Sequence, residues 1–226
     1  MLMEKERKEI AEYGRKMSSS GLSKGTSGNI SIYDPETGYM AISPSGLGYF
    51  DTEPEDVVVM DLKGNIIDGS RKPSSEHGLH TVMYLNKPDA RAVVHTHSTF
   101  CTTLACLNTP LKAVHYVIGG AGAATVPCAE YATFGTPELA ENVAKAIGKS
   151  KAVLLANHGL VTSGPSLAKA FGLAVNLEFV AEMQWRASCV GTPVVLSDAE
   201  MDTVMESFKS YGQPKKADEK KDGMGY

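Results

Sequence analysis

His95 and His97 close the run Val93-Val94-His95-Thr96-His97. In an extended strand, residues i and i+2 project to the same face, so both imidazoles leave one rigid strand end together. That spacing suits a divalent cation; a pair of hydrogen-bonded histidines at a strand end is the plainer alternative. His158 follows a second apolar run, Ala152 to Ala156, and passes at once into Gly159. Functional groups collect at strand ends in open α/β sheets. Three neutral imidazoles that leave a fourth position open make a catalytic rather than a structural zinc site. Nothing in the spacing itself brings His158 to the other two, so their convergence is an expectation.

Glu76 is the candidate acid/base. Pro73-Ser74-Ser75-Glu76 reads as a helix start, with Ser74 or Ser75 as the cap and Glu76 in the first turn, beside amide groups that favour an anion. A glutamate there also stabilises a helix dipole with no chemistry involved, and spacing leaves both roles open. Glu76 and His80 share a helix face at i, i+4 and would themselves make half of a metal site. His77 is expected to face solvent, and His115 to make a structural hydrogen bond within a strand. Gly25-Thr26-Ser27-Gly28-Asn29, Ser43-Pro44-Ser45-Gly46 and Pro73-Ser74-Ser75 offer hydroxyls and free amides that suit a sugar-phosphate oxyanion. Gly/Ser loops commonly do no more than turn the chain. Lys72 is either a counter-charge to that anion or a solvated lysine. No G-x-G-x-x-G follows a strand and no G-x-S-x-G occurs, which disfavours dinucleotide binding and an α/β-hydrolase.

These residues need a scaffold, and the pattern supplies one. A helix is predicted over 2–19, then strands over Asn29 to Tyr33 and Tyr39 to Ile42 around an Asp-Pro-Glu-Thr-Gly turn. A strand over Asp56 to Leu62 turns at Lys63-Gly64-Asn65 into Ile66-Ile67, and a helix runs from Ser74/Ser75 to about Asn86. Ala90 to His95 reads as a strand, Ser98 to Leu107 as a helix, Ala113 to Ile118 as a strand, and Gly119 to Thr125 as a flexible stretch. Pro137 to Ile147 is helical, Ala152 to Ala156 a buried strand, and Ser166 to Val190 a long helix. Ser197-Asp-Ala-Glu200 is a capping box for a last helix to about Ser210. Past Gly212 the composition falls to Lys, Asp, Glu and Gly, a loose tail over 213–226. One α/β domain follows.

Composition narrows the class. With 42% hydrophobic residues in 226, and 22 basic against 26 acidic side chains for a net charge of −4, the chain can bury a core and is not disordered. Its scattered basic residues give no footprint for nucleic acid. The charged N-terminal segment lacks the apolar core of a signal peptide, and the longest apolar run, five residues at Ala152 to Ala156, is far short of a membrane span. A cytoplasmic protein is expected. Cys101, Cys106, Cys128 and Cys189 form no C-x-x-C pair and are read as free, buried thiols.

Gly25-Thr-Ser-Gly-Asn-Ile-Ser31, Ser43-Pro-Ser-Gly46, Pro73-Ser-Ser-Glu76, His95-Thr-His97, Tyr131-Ala-Thr-Phe-Gly135 and Asn157-His-Gly159 occur in the order and spacing of the class II aldolase/epimerase family. The chain resembles that family from its first helix to Phe208-Lys-Ser-Tyr-Gly212. The resemblance implies a domain over 1–212 with a central, mostly antiparallel sheet flanked by helices on both sides, assembled as a homotetramer with active sites between subunits. It implies one zinc per subunit on His95, His97 and His158, with Glu76 as acid/base, close enough to ligate the metal at rest. Gly28, Asn29, Ser45, Gly46, Ser74 and Ser75 match a phosphate pocket. Tyr116 matches a tyrosine, from the neighbouring subunit, that handles the proton on the aldehyde oxygen. Phe134 and Tyr211 match residues shaping the aldehyde end.

The reaction implied is reversible aldol cleavage of a ketose 1-phosphate, such as L-fuculose 1-phosphate, to dihydroxyacetone phosphate and L-lactaldehyde, through an enediolate stabilised by the metal. Alternatives are an L-ribulose-5-phosphate 4-epimerase on the same zinc site, a methylthioribulose-phosphate dehydratase, a zinc hydrolase, and a non-catalytic adducin-like binding protein. Glu76 with Tyr116 and Phe134 favours the aldolase over the epimerase, in which Asp is expected at position 76. The complete set of three histidines and Glu76 favours an enzyme over a binding protein.

Overall fold

A computed structural model describes residues 1–210; Tyr211 and the tail expected over 213–226 lie outside the described residues. The first helix, α1, spans Glu4–Ser19 and leads into strands β1 (Asn29–Asp34), β2 (Tyr39–Ile42), β3 (Val58–Asp61) and β4 (Ile66–Asp68). Helix α2 (His77–Asn86), strand β5 (Ala92–Thr96) and helix α3 (Thr99–Cys106) follow, then the two-residue strands β6 (Leu111–Lys112), β7 (Thr125–Val126) and β8 (Cys128–Ala129). Helix α4 (Pro137–Ala146), strands β9 (Ala152–Leu155) and β10 (Gly159–Gly164), and helices α5 (Leu167–Val190) and α6 (Asp198–Ser210) complete the order. Eight strands form one sheet in the order β4-β3-β2-β1-β5-β10-β9-β8, while β6 and β7 pair separately. Every pairing in the large sheet is antiparallel except that of β8 with β9.

Alternation along the strands divides the core in two. Ala41, Val59, Ala92, Val94, Leu154 and Leu160 enter one cluster, with Ile10 and Met17 of α1, Leu104 of α3 and Leu173 and Leu177 of α5. Their strand neighbours Met40, Val58, Val93, Leu155 and Val161 enter the other, with Leu79 and Met83 of α2 and Leu139 and Val143 of α4. Helices therefore cover both faces, as the family resemblance implies, and the central strands read as nearly continuous apolar runs because neither face meets water. Each buried Val, Leu, Ile or Met contributes about 1.5–3 kcal/mol, and both clusters are complete without the site histidines. Helix starts follow the sequence: Thr136, Ser166 and Ser197 accept from the amides of Leu139, Lys169 and Glu200. Glu200 returns the bond to the Ser197 amide, closing the expected capping box.

Four expectations need correction. Residues 113–118 form no strand; Tyr116–Ala121 is a 3-10 helix opened by His115, whose Nδ1 accepts from the Val117 amide. The alternation of Val114, Tyr116 and Ile118 is overridden there by the tight turn, which buries Ile118 and Ala121 and takes in part of the stretch expected to be flexible. Helix α2 starts at His77, later than Ser74 or Ser75, because those serines belong to a loop tied to its neighbour. Strand β10 has no counterpart in the sequence reading, since its Gly-Leu-Val-Thr-Ser-Gly composition resembles a turn. The four cysteines are free, but only Cys101 is fully buried; Cys106 and Cys189 are exposed on helix surfaces. Among the described residues, no helix is long and apolar enough to cross a membrane.

Candidate active site

Two strand periods and one tight turn bring the histidines together. His95 and His97 fall on the α2/α4 side of the sheet, in phase with Val93. Strands β9 and β10 form a hairpin whose turn, Ala156 to His158, uses a left-handed Asn157 (φ 55°) to place His158 over the end of β5. The three rings meet edge to face with centroids 4.8–4.9 Å apart. One nitrogen from each lies within 4.8 Å of the others. Gly159 makes this approach feasible: a Cβ there would lie 2.3 Å from the Thr96 carbonyl and 3.2–3.3 Å from the His97 and His95 rings. Gly28 does the same behind the site, at φ 78° with space for a Cβ closed by Ser23 and the His95 carbonyl.

The tautomer of His95 follows from its partners. Its Nδ1 lies 3.0 Å from the Leu160 carbonyl, which only accepts, so Nδ1 carries the proton and Nε2 presents a lone pair 3.1 Å from Nε2 of His97. Burial, reinforced by His95, pushes both His97 and His158 down to about 4, so both are neutral near pH 7. Facing them, Glu76 places Oε2 at 3.4 Å from His95 Nε2 and Oε1 at 3.3 Å from His158 Nε2. Burial works to raise its carboxyl, but His95, His158 and the Asn29 amide outweigh burial and hold it below the ordinary carboxylate range. Oε1 is buried and accepts no hydrogen bond. Three imidazole nitrogens, a neighbouring carboxylate and an orphaned buried oxygen are the chemistry of a cation site, and they fit zinc.

Acidification gives a test of this electrostatic picture. The two histidines hold about 4 in the folded chain against an ordinary value of 6.5. Between those values the unfolded chain binds more protons, so stability falls as pH drops through that window. Denaturant midpoints of chelator-treated protein are expected to be lower at pH 5 than at pH 7. Equal midpoints would contradict neutral, buried imidazoles.

Glu76 occupies the N-cap of α2 rather than its first turn, and its amide donates to Ser74 Oγ at 3.2 Å. The loops expected to cradle an anion are zipped together: the Ser45 amide donates to the Lys72 carbonyl and the Ser74 amide to the Ser43 carbonyl. They line a cavity of about 420 Å³ that also reaches His97 and His158. Gly28, Asn29, Ser45, Gly46, Ser74, Ser75, Glu76 and Phe134 all border it. Thr26 and Ser27 of the first of these loops, and Tyr131 and Asn157 of the other motifs, border it too. Lys72 is exposed and outside the lining. No lysine or arginine lines the cavity among the described residues, so amides and hydroxyls dominate its rim.

Two expected residues stand elsewhere, and a third lies outside the described residues. Tyr116 is half exposed, stacked on His115 and near Phe208, and does not border the cavity of its own chain. Tyr211 lies outside the described residues. His80 takes no part in the metal cluster; it is fully buried between Asn29 and Ser31.

This geometry agrees with the comparison by sequence. The model of the Class II Aldolase and Adducin N-terminal domain matches residues 8–185. The chain belongs to this family. It is 48% identical over 213 residues to a 5-deoxy-D-ribulose 1-phosphate aldolase of Bacillus thuringiensis serovar kurstaki, covering 94% of this chain and 100% of that one. It is 42% identical to a 5-methylthioribulose-1-phosphate/5-deoxyribulose-1-phosphate aldolase of Rhodospirillum rubrum, over 90% of both chains. A solved L-fuculose 1-phosphate aldolase superposes with a TM-score of 0.90 at 44% identity, over 92% of this chain and 98% of that one. Class II aldolases use a metal, and the histidine cluster of this member supplies its single zinc site. The adducin-like reading without chemistry is set aside, because the chain is a metal-dependent lyase of this family with its ligand set intact.

Proposed function

We propose that the enzyme cleaves a ketose 1-phosphate reversibly to dihydroxyacetone phosphate and a short aldehyde. The observation that carries this reading is Glu76 Oε1, buried and without a hydrogen bond, beside three imidazoles, two of which, His97 and His158, line a cavity rimmed by amides and hydroxyls. The phosphate is assigned to the loops 25–29, 43–46 and 73–75, whose amide groups suit an oxyanion without a lysine. His95, His97 and His158 would hold zinc, which when bound would supply a Lewis acid for the negative charge that develops as the bond between C3 and C4 breaks. Cleavage moves one proton net from the C4 hydroxyl to C3: Glu76 removes the C3 proton in the condensing direction, and in cleavage returns to C3 a proton regained from the solvent that takes up the one lost by the C4 hydroxyl. Its depressed carboxyl keeps it ionised, ready for the condensing direction, across neutral pH.

The aldehyde end is apolar. Exposed Phe134 and Tyr131 and buried Ala132 line that part of the cavity. L-Fuculose 1-phosphate ends there in a methyl group, and so does 5-deoxyribulose 1-phosphate, the pentulose named in two of the relatives above. We take both as substrates. The two differ by one CHOH unit, worth about 1–3 kcal/mol of discrimination in such a pocket. Incubation of zinc-loaded enzyme with each, followed by an enzymatic assay for dihydroxyacetone phosphate, is expected to show release from both and none after chelation. Release from neither would overturn the reading and send the search to epimerisation of L-ribulose 5-phosphate.

Tyr116 is assigned to the aldehyde oxygen of a neighbouring copy's site, in a cytoplasmic homotetramer. Support comes from its position outside its own cavity and from the exposed Phe179 of α5, which packs edge-on against His115, the ring on which Tyr116 stacks. Tyr116→Phe is expected to lower kcat about 10²- to 10³-fold with zinc content unchanged. Subunit exchange between inactive Tyr116→Phe and inactive Glu76→Gln proteins then regains activity, since some hybrid sites carry both wild-type groups. Absence of complementation in proven hybrids would place Tyr116 outside the chemistry.

A further inference from the structure

Behind Glu76 runs a buried chain of hydrogen bonds that the reaction as written does not use. Asn29 Nδ2 donates to Glu76 Oε2 at 2.9 Å, and Asn29 Oδ1 meets His80 Nε2 in a short contact. His80 Nδ1 lies 2.6 Å from Ser31 Oγ, which lies 2.6 Å from the Tyr84 hydroxyl. Two periodicities build it. Asn29 and Ser31 stand at i, i+2 on one face of β1, while His80 and Tyr84 stand at i, i+4 on one face of α2, with Glu76 one turn before His80.

Donor chemistry allows only one direction. A carboxylate accepts, so Asn29 turns its NH₂ to Glu76 and its carbonyl to His80. That carbonyl also accepts, so Nε2 of His80 carries the proton. Burial pushes His80 down to about 3, leaving the ring neutral and its Nδ1 bare. Ser31 therefore donates to Nδ1, and Tyr84 donates to Ser31. Reversing any link sets two acceptors or two donors against each other.

We propose that His80 is a positioning residue, whose Nε2–H fixes the Asn29 amide so that Asn29 binds Glu76 Oε2 and leaves Oε1 free toward the substrate carbon. An apolar set of the same volume would serve the surrounding core, where Leu79, Met83 and Val93 pack. What the polar set adds is direction at one carboxylate. It also engages the Asn29 side chain, so its part in an anion pocket is confined to one remaining N–H and its main chain.

The inference rests on the reading that Glu76 moves the C3 proton, and the test separates the two. Zinc-loaded enzyme with dihydroxyacetone phosphate alone in D₂O exchanges a hydroxymethyl proton, followed by NMR. Glutamine sets an amide N–H where His Nε2 stands; asparagine reaches only as far as Nδ1. His80→Asn and His80→Phe are expected to slow saturated exchange about 10- to 100-fold, with the half-saturating concentration and zinc stoichiometry retained. His80→Gln is expected to recover most of the rate, although it loses the Ser31 contact as well. Wild-type exchange in folded, zinc-loaded His80→Asn would overturn the proposal, as would equal losses in the Gln and Asn proteins that merely track their melting temperatures. Should His80→Phe fail to fold, the two polar variants decide it. Glu76→Gln is run beside them. If it exchanges normally, the Glu76 reading fails; if it is dead while His80→Asn is normal, only the role of His80 fails.

Discussion

Replacing His97 by alanine is expected to remove zinc and turnover together. Two imidazoles and a weakly placed carboxylate hold zinc far less tightly than three, and stoichiometric metal should be lost on dialysis. Without the Lewis acid, carbon–carbon cleavage loses several kcal/mol of charge stabilisation, roughly 10³-fold or more in kcat. His97 is the right ligand to test because its removal touches little else. His95 is completely buried and bonded to the Leu160 carbonyl, so its loss would confound metal with fold. His97 is only part-buried, and its Nε2 meets Nε2 of His95, another member of the cluster. The melting temperature of the zinc-free His97→Ala protein should therefore match that of zinc-free wild type. Full zinc occupancy in His97→Ala, measured by atomic absorption, would show that the triad is not the metal site.

What could be read from the sequence follows the range of the interaction. His95 and His97 are legible because a strand repeats every two residues, and their shared face needs no tertiary knowledge. The loops at 43–46 and 73–75 are legible as anion-friendly chemistry, but not as neighbours; the pairing of Ser45 with Lys72 and Ser74 with Ser43 comes from the sheet around them. His158 converges on the pair through β10, a strand whose flanking glycines and Thr-Ser resemble a turn when read alone. Its burial between β5 and β9 decides it, and burial is a property of the whole sheet. Tyr116 shows the converse error. Its alternating neighbours predict a strand, yet the segment folds as a 3-10 turn because Ile118 and Ala121 reach the core that way. His80 was legible only as a partner of Glu76 at i, i+4. Its actual partner, Asn29, is 51 residues away, and only the packing of α2 on β1 brings them together.

Glu76→Gln is expected to keep zinc and lose most of its turnover, by about 10²- to 10⁴-fold in kcat, the usual worth of a positioned proton-transfer group. The substitution preserves shape and one acceptor, so the Asn29 amide can still donate to position 76 and the three histidines remain in place. What vanishes is an oxygen able to take a proton, together with a negative charge beside three imidazoles. Losing that charge removes a favourable neighbour for any cation, so zinc affinity should weaken while occupancy at saturating metal stays at one per chain. The loss should fall on kcat rather than KM, because phosphate binding is assigned to the loops and not to this carboxylate. Near-wild-type turnover in zinc-loaded Glu76→Gln would remove Glu76 from the proton path. The buried, unbonded Oε1 would then be left as a resting metal ligand only.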